Sequence, residues 1–260
     1  MTRNLKLTLA YDGSEFRGWQ IQPGLPTVQG TLSDVIGRTT GEKVLPQGSG
    51  RTDTGVHAMA QVATFTTQTP IPLDNLRLVL NDRLPPSIRI LCVEEVPPEF
   101  HARHSAKAKT YRYRVYRGEI VPPWLARYVA HHPWPLDEDS VFEAAKYVTG
   151  EHDFTSFAAC DPDRTARAEE DEEGEIPKHA TNVRTIFESG WLRESDEIIY
   201  TVRGNGFLHH MVRNLVGTFL LAGKGTWAPV DIRRILEARD RSAAGPTAPA
   251  SGLWMVKVEY

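Results

Sequence analysis

Apolar and polar residues alternate from the start of the chain. Leu5, Leu7 and Leu9 are separated by Lys6 and Thr8, the two-residue period of a half-buried β-strand. Asp12-Gly13-Ser14 ends that strand with turn chemistry. After a proline-bounded loop from Pro23 to Pro26, Thr27 is placed to cap a helix carrying Val28, Leu32, Val35 and Ile36 on one face. The glycines from Gly48 to Gly55 predict irregular backbone. Gln61 to Thr66 predicts a strand, Leu76 to Leu80 a helix stopped before Pro85-Pro86, and Ile88 to Val93 a further strand. The second half repeats the style. Tyr111 to Tyr116 alternates, with Tyr111, Tyr113 and Val115 on one face. Asp137 to Tyr147 predicts a helix, and Ile198 to Arg203 a strand closed by the turn Gly204-Asn205-Gly206. Leu208, Met211, Val212, Leu215, Val216, Phe219 and Leu220 form the clearest helical stripe. A short helix at Ile232 to Leu236 and a strand at Leu253 to Val258 follow. Strands and helices mix without the strict rhythm of a doubly wound sheet, which predicts an α+β chain of two similar halves, residues 1–105 and 106–260.

Composition adds the bounds. With 260 residues, 40% apolar and 24% charged, the chain can bury a real core. No stretch approaches the roughly 20 apolar residues of a membrane-spanning helix, and the N-terminus enters a strand with no signal-peptide core, so the expectation is a cytoplasmic protein with no membrane partner. Cys92 and Cys160 suggest neither a disulfide framework nor a zinc site. The net charge of −3 argues against a nucleic-acid partner until its distribution is read. Between Asp161 and Lys178 eight acids face only Arg164, Arg167 and Lys178, so that segment carries −5 and the rest of the chain +2. Residues 161–178 have little to bury and predict a mobile acidic loop. Elsewhere Arg103, Lys107, Lys109, Arg112, Arg114 and Arg117 cluster. Composition permits an RNA partner without requiring one.

The candidate chemistry lies in Arg51-Thr52-Asp53-Thr54-Gly55. A turn alone explains an aspartate beside a glycine. Arg51, however, is close enough in sequence to keep Asp53 ionised, and polar loops on a rigid sheet are where catalytic groups tend to sit. Asp53-Thr54-Gly55 is also the tripeptide of aspartic proteases, but their chemistry needs two facing carboxylates and the tripeptide occurs once. There is no Walker loop and no G-x-G-x-x-G after a strand. His209-His210 and His101-x-x-His104 lack the remaining ligands of a metal site.

The longer string Gly50-Arg51-Thr52-Asp53-Thr54-Gly55-Val56-His57-Ala58 resembles the signature of the TruA family of tRNA pseudouridine synthases. So do Tyr11-Asp12-Gly13-Ser14 with Gly18-Trp19-Gln20, and Phe100-His101-Ala102-Arg103 with Tyr111-Arg112-Tyr113. Gly150-Glu151-His152-Asp153-Phe154, Phe207-Leu208-His209-His210-Met211-Val212-Arg213-Asn214 and Thr247-Ala248-Pro249-Ala250 continue the match, in order, to the C-terminus. The resemblance implies two ferredoxin-like halves sharing one continuous, mainly antiparallel sheet with helices on one side. It also implies a homodimer and a tRNA substrate modified on the 3′ side of the anticodon stem-loop, at tRNA positions 38–40, without cofactor or metal. Asp53 matches the catalytic aspartate, Tyr111 the tyrosine that stacks on the target base, Arg51 and Arg213 two arginines that act beside the aspartate, and Leu253 an apolar residue lining the base pocket. The acidic insert departs from the family pattern and puts the local loop geometry, not Asp53, in question.

Overall fold

The computed structural model describes residues 2–159 and 181–260. Cys160 and the acidic insert at 161–178 lie outside them. The chain forms two compact units. The first runs up to Val115 and adds Ile120–His131 and Ala250–Tyr260; the second comprises Tyr116–Glu119 and His132–Pro249. This division runs differently from a boundary near residue 105, because the C-terminal strand returns to pair with strands of the first unit.

The first unit begins with β1 (Arg3–Tyr11), α1 (Val28–Thr40), β2 (Gln47–Gly48), β3 (His57–Thr67), α2 (Leu73–Arg83) and β4 (Ile88–Val96). β1 is antiparallel to both β3 and β4, and β2 is antiparallel to β3. That connectivity, in the order β4-β1-β3-β2, is a ferredoxin-like β-α-β-β-α-β motif. Leu5, Leu7 and Leu9 are fully buried, as are Val28, Leu32 and Ile36 of α1 and Leu76 and Leu80 of α2. Each such side chain stabilises the fold by roughly 1.5–3 kcal/mol relative to exposure. Thr27 caps α1 as its sequence implies: its hydroxyl accepts the Gly30 N–H at 3.2 Å. Gly41, at φ 78°, ends the helix with its N–H on the Gly37 carbonyl at 2.8 Å. β5 (Ala108–Tyr116) and β10 (Leu253–Glu259) form an antiparallel pair, and β10 also runs beside the start of β3, in parallel, at His57 and Ala58. β6 (Ala130–His131) flanks β5.

The second unit holds α3 (Glu138–Lys146), β7 (Gly150–Asp153), β8 (Val183–Glu194), β9 (Glu197–Gly204), α4 (Met211–Gly223) and α5 (Asp231–Ala238). β7, β8 and β9 are antiparallel neighbours. α3 and α4 approach closely, since a Cβ at Gly223 would lie 2.4 Å from Val141 Cγ2. The segment after α5 crosses α4 just as tightly, with Gly217 against the Pro246 carbonyl. α4 starts three residues later than its apolar stripe implies, because His210 takes a left-handed conformation (φ 59°) at the N-cap. The molecule is thus α+β and mainly antiparallel. Among the described residues no helix is long and apolar enough to cross a membrane.

Candidate active site

The Asp53 loop bridges β2 and β3, and its shape is set by side chains buried beneath it. Ser49 and Gln61 are both fully buried. The Ser49 hydroxyl donates to Gln61 Oε1 at 2.6 Å, and Gln61 Nε2 donates to the Gly50 carbonyl at 2.9 Å. Thr52 is held twice: its carbonyl accepts the Trp19 N–H at 3.0 Å, and its hydroxyl shares a 2.8 Å hydrogen bond with the Tyr11 hydroxyl. The Val56 N–H closes a turn onto the Asp53 carbonyl at 3.1 Å, with Gly55 at φ 79°. Arg51 and Asp53 themselves are half-buried.

This explains why the opening block accompanies the loop. Gly13 and Gly18 lie directly against it: a Cβ at Gly13 would fall 2.0 Å from the Val56 carbonyl oxygen, and one at Gly18 2.6 Å from that of Thr52. Gly18 also sits at φ 86°. The two glycines let residues 12–19 pass beneath Thr52–Val56 at backbone contact distance.

On the other side of the loop stand β5 and β10. Tyr111 is opposite Met255 and Tyr113 opposite Leu253, so the strand period places all four on one face. A Cβ at Gly50 would lie 3.7 Å from Met255 Cε and 3.9 Å from the Tyr111 hydroxyl, which puts the start of the loop over that face. Burial pushes the Tyr111 hydroxyl far above the ordinary tyrosine range, and the nearby Tyr11 and the negative charge of Asp53 push it further. Tyr11 beneath the loop is likewise raised to about 12 by burial, against its hydrogen bond with Thr52. Neither phenol loses its proton near neutrality. Asp53, Arg51, Tyr111 and Leu253 therefore share the first unit.

Arg213 belongs to the second unit, in the first turn of α4. Its Nε donates to the Ala248 carbonyl at 2.8 Å, while the Ala248 N–H donates to the Arg213 carbonyl at 3.1 Å. Asn214, fully buried beside it, accepts the Thr247 hydroxyl at 2.7 Å and donates to the Phe157 carbonyl. The Thr247-Ala248-Pro249 block thus fixes the helix face that carries Arg213.

His57, whose role no local sequence pattern marks out, anchors the end of the Asp53 loop. It is fully buried at the start of β3, stacked on Trp254 (4.4 Å, 24°) and edge-on to Tyr128 (5.3 Å). Its Nδ1 accepts the Gly13 N–H at 3.1 Å, so the proton rests on Nε2, which donates to the Arg127 carbonyl at 3.0 Å. Asp12 Oδ1 is 3.2 Å from Nδ1, and Asp12 Oδ2 accepts the Tyr128 hydroxyl at 2.9 Å. Burial lowers the His57 pKa by more than Asp12 and the backbone carbonyls raise it. For Asp12 burial acts upward, but the Ser14 hydroxyl and amide, Tyr128 and His57 outweigh it and hold the carboxyl below the usual range. The end of the Asp53 loop is thereby fastened to β10 and to residues 127–128. The Phe100-His101-Ala102-Arg103 block has a comparable structural part: His101 Nδ1 accepts the Arg103 N–H at 3.0 Å, and the Ala102 carbonyl accepts the Tyr260 hydroxyl at 2.8 Å.

Asp53 thus stands on a loop held by buried hydrogen bonds, and the start of that loop lies over a strand face bearing a buried tyrosine. Residues 8–105 and 144–260 match the family model described as tRNA pseudouridine synthase. A protein of Solibacter usitatus named tRNA pseudouridine synthase A is 51% identical over 258 residues, 99% of this chain and 100% of that one. Proteins of the same name from Brevibacillus brevis and Caldicellulosiruptor saccharolyticus are 44% and 42% identical, again across 99% of this chain and all of theirs. This chain belongs to the tRNA pseudouridine synthase family.

Proposed function

We propose that this protein isomerises uridine to pseudouridine in tRNA, with Asp53 as its catalytic carboxylate. The observation that carries the site assignment is the seating of the Asp53 loop over the β5–β10 face that presents Tyr111 and Leu253. In the reaction the bond from N1 of uracil to C1′ breaks, the base turns, and a bond from C5 to C1′ forms. The C5 hydrogen leaves to solvent and N1 regains a proton. One ionised carboxylate serves either as nucleophile at C1′ or as base at C2′, and in both schemes C1′ gains oxocarbenium character that a nearby negative charge stabilises. No electron leaves or enters, so the scheme calls for no cofactor.

Tyr111 supplies the stacking surface for the extruded base, a contact worth roughly 1–3 kcal/mol per base and tolerant of how the base is turned. Its hydroxyl stays protonated, which suits packing better than proton transfer. Leu253, beside Tyr113 on the same face, lines the base pocket. Arg51 draws the nucleotide towards Asp53, and Arg213 is a second substrate-binding cation. The anticodon stem-loop as target and the homodimeric state follow from the family resemblance. The test is a map of pseudouridines in a tRNA pool incubated with and without the protein. New pseudouridine on the 3′ side of the anticodon stem-loop is expected. Pseudouridine confined to another region would overturn the target, and none at all would overturn the activity.

A further inference from the structure

We infer that Lys109 is a positioning residue for this reaction: its ammonium ties the start of the Asp53 loop to the strand that carries Tyr111. The inference deepens the reading of Asp53 and Tyr111 given above and rests on it.

Lys109 Nζ donates a hydrogen bond to the Ser49 carbonyl, and it would lie 3.4 Å from a Cβ at Gly50. The lysine is half-buried and reaches towards a fully buried serine. Its place in β5 matters. Two residues before Tyr111, it is on the same face and about 7 Å along the strand. Ties of the loop to other elements are separate: Gln61 holds it to β3, and Tyr11 and Trp19 hold it to β1 and the segment after it. Lys109 instead joins the loop to β5, so it sets the distance between the carboxylate and the stacking ring. The acceptor is a main-chain carbonyl, and an ammonium donates to it more strongly than a neutral group does. A basic residue in a family of RNA enzymes could equally serve as a plain phosphate contact, and that alternative has a different kinetic signature. Loss of a phosphate contact raises KM and lessens the salt dependence. Loosening two catalytic groups relative to one another lowers kcat, because misplacement by about 1 Å costs up to ~100-fold.

The experiment is steady-state tritium release from tRNA labelled at C5 of uridine. It compares wild type, Lys109→Met, Lys109→Gln, Lys109→Arg and, as a matched loss of charge, Lys107→Met at the exposed position just before β5. Lys109→Met and Lys109→Gln are expected to lower kcat by roughly 10-fold or more. Their KM and salt dependence should change no more than those of Lys107→Met, and Lys109→Arg should recover several-fold. Lys109→Gln is one bond shorter and uncharged but stays polar, so an unfolded Met variant leaves the test standing. A kcat near wild type in the neutral variants, or a change confined to KM and shared with Lys107→Met, would overturn the inference. Asp53→Asn is measured alongside: activity there overturns the active-site reading itself, whereas an inactive Asp53→Asn beside a fully active Lys109→Met overturns the role of Lys109 alone.

Discussion

Tyr111 separates two ways in which an aromatic residue can serve this site. Its hydroxyl is buried and burial raises its pKa well above the ordinary tyrosine range, which argues for the ring as the working surface and against the hydroxyl as the base for the C5 proton. Tyr111→Phe should keep most of the turnover, while Tyr111→Ala should lose roughly 10-fold or more, the equivalent of a stacking contact. Initial rates of both variants check this, and the reverse ranking rules out stacking. His57 makes a prediction of another kind. Its folded pKa lies below the ordinary 6.5, so below that value the unfolded chain binds more protons than the native one. The stability it contributes is fully present above 6.5 and is lost as pH falls towards the folded pKa. Protonated Nδ1 would face the Gly13 N–H head-on while gaining Asp12 as a partner. The melting temperature should therefore fall more steeply for wild type than for His57→Asn between about pH 7 and pH 5; parallel curves would contradict it. At this scale Asp53 and Tyr111 stand out in the sequence through the strings that resemble a known family, since the Asp53 loop alone also reads as a turn and Tyr111 as strand core. The role of His57 was not legible, because it depends on Trp254 and Tyr128, which no local pattern links to it.

At the scale of elements, the loop is shaped by what runs beneath it. Gly18 combines φ 86° with a 2.6 Å approach to the Thr52 carbonyl, so Gly18→Ala should destabilise the fold by about 1–3 kcal/mol through backbone strain alone. It should also lower kcat, since Thr52 is the neighbour of Asp53. Thr27→Ala removes the α1 helix cap while leaving the Gly18–Thr52 contact in place and should cost about 1 kcal/mol with kcat intact. Denaturant unfolding with tritium release on the same samples distinguishes them; equal kcat losses would show that the loop senses general stability and not the contact at Gly18. The strongly periodic elements were readable: β1, α1, β5, α3 and β10 lie where alternation and caps put them. β8 was not read as a strand, because beyond Ile186 its residues are mostly exposed and Ser189-Gly190 interrupts the pattern, while pairing with β9 holds it in place. β3 begins at His57, four residues before the expected Gln61, since His57 and Ala58 pair with β10, far away in sequence, and Ala58 also pairs with Tyr11 of β1. The left-handed His210 hid the true start of α4 in the same way.

For the whole molecule, the net charge of −3 understates its fitness for RNA, because the segment 161–178 carries −5 and the rest of the chain +2. Binding of tRNA should weaken as salt rises, and Asp53→Asn should leave that slope unchanged, since a loop carboxylate neutralises no phosphate. The family match spans both compact units, so activity is expected of the full chain. The direct measurement is release of tritium from C5-labelled uridine in tRNA, in a single turnover with enzyme in excess and no added metal, by wild type and Asp53→Asn. Wild type should release tritium and Asp53→Asn none, with tRNA affinity retained; equal release by the two would remove Asp53 from the chemistry.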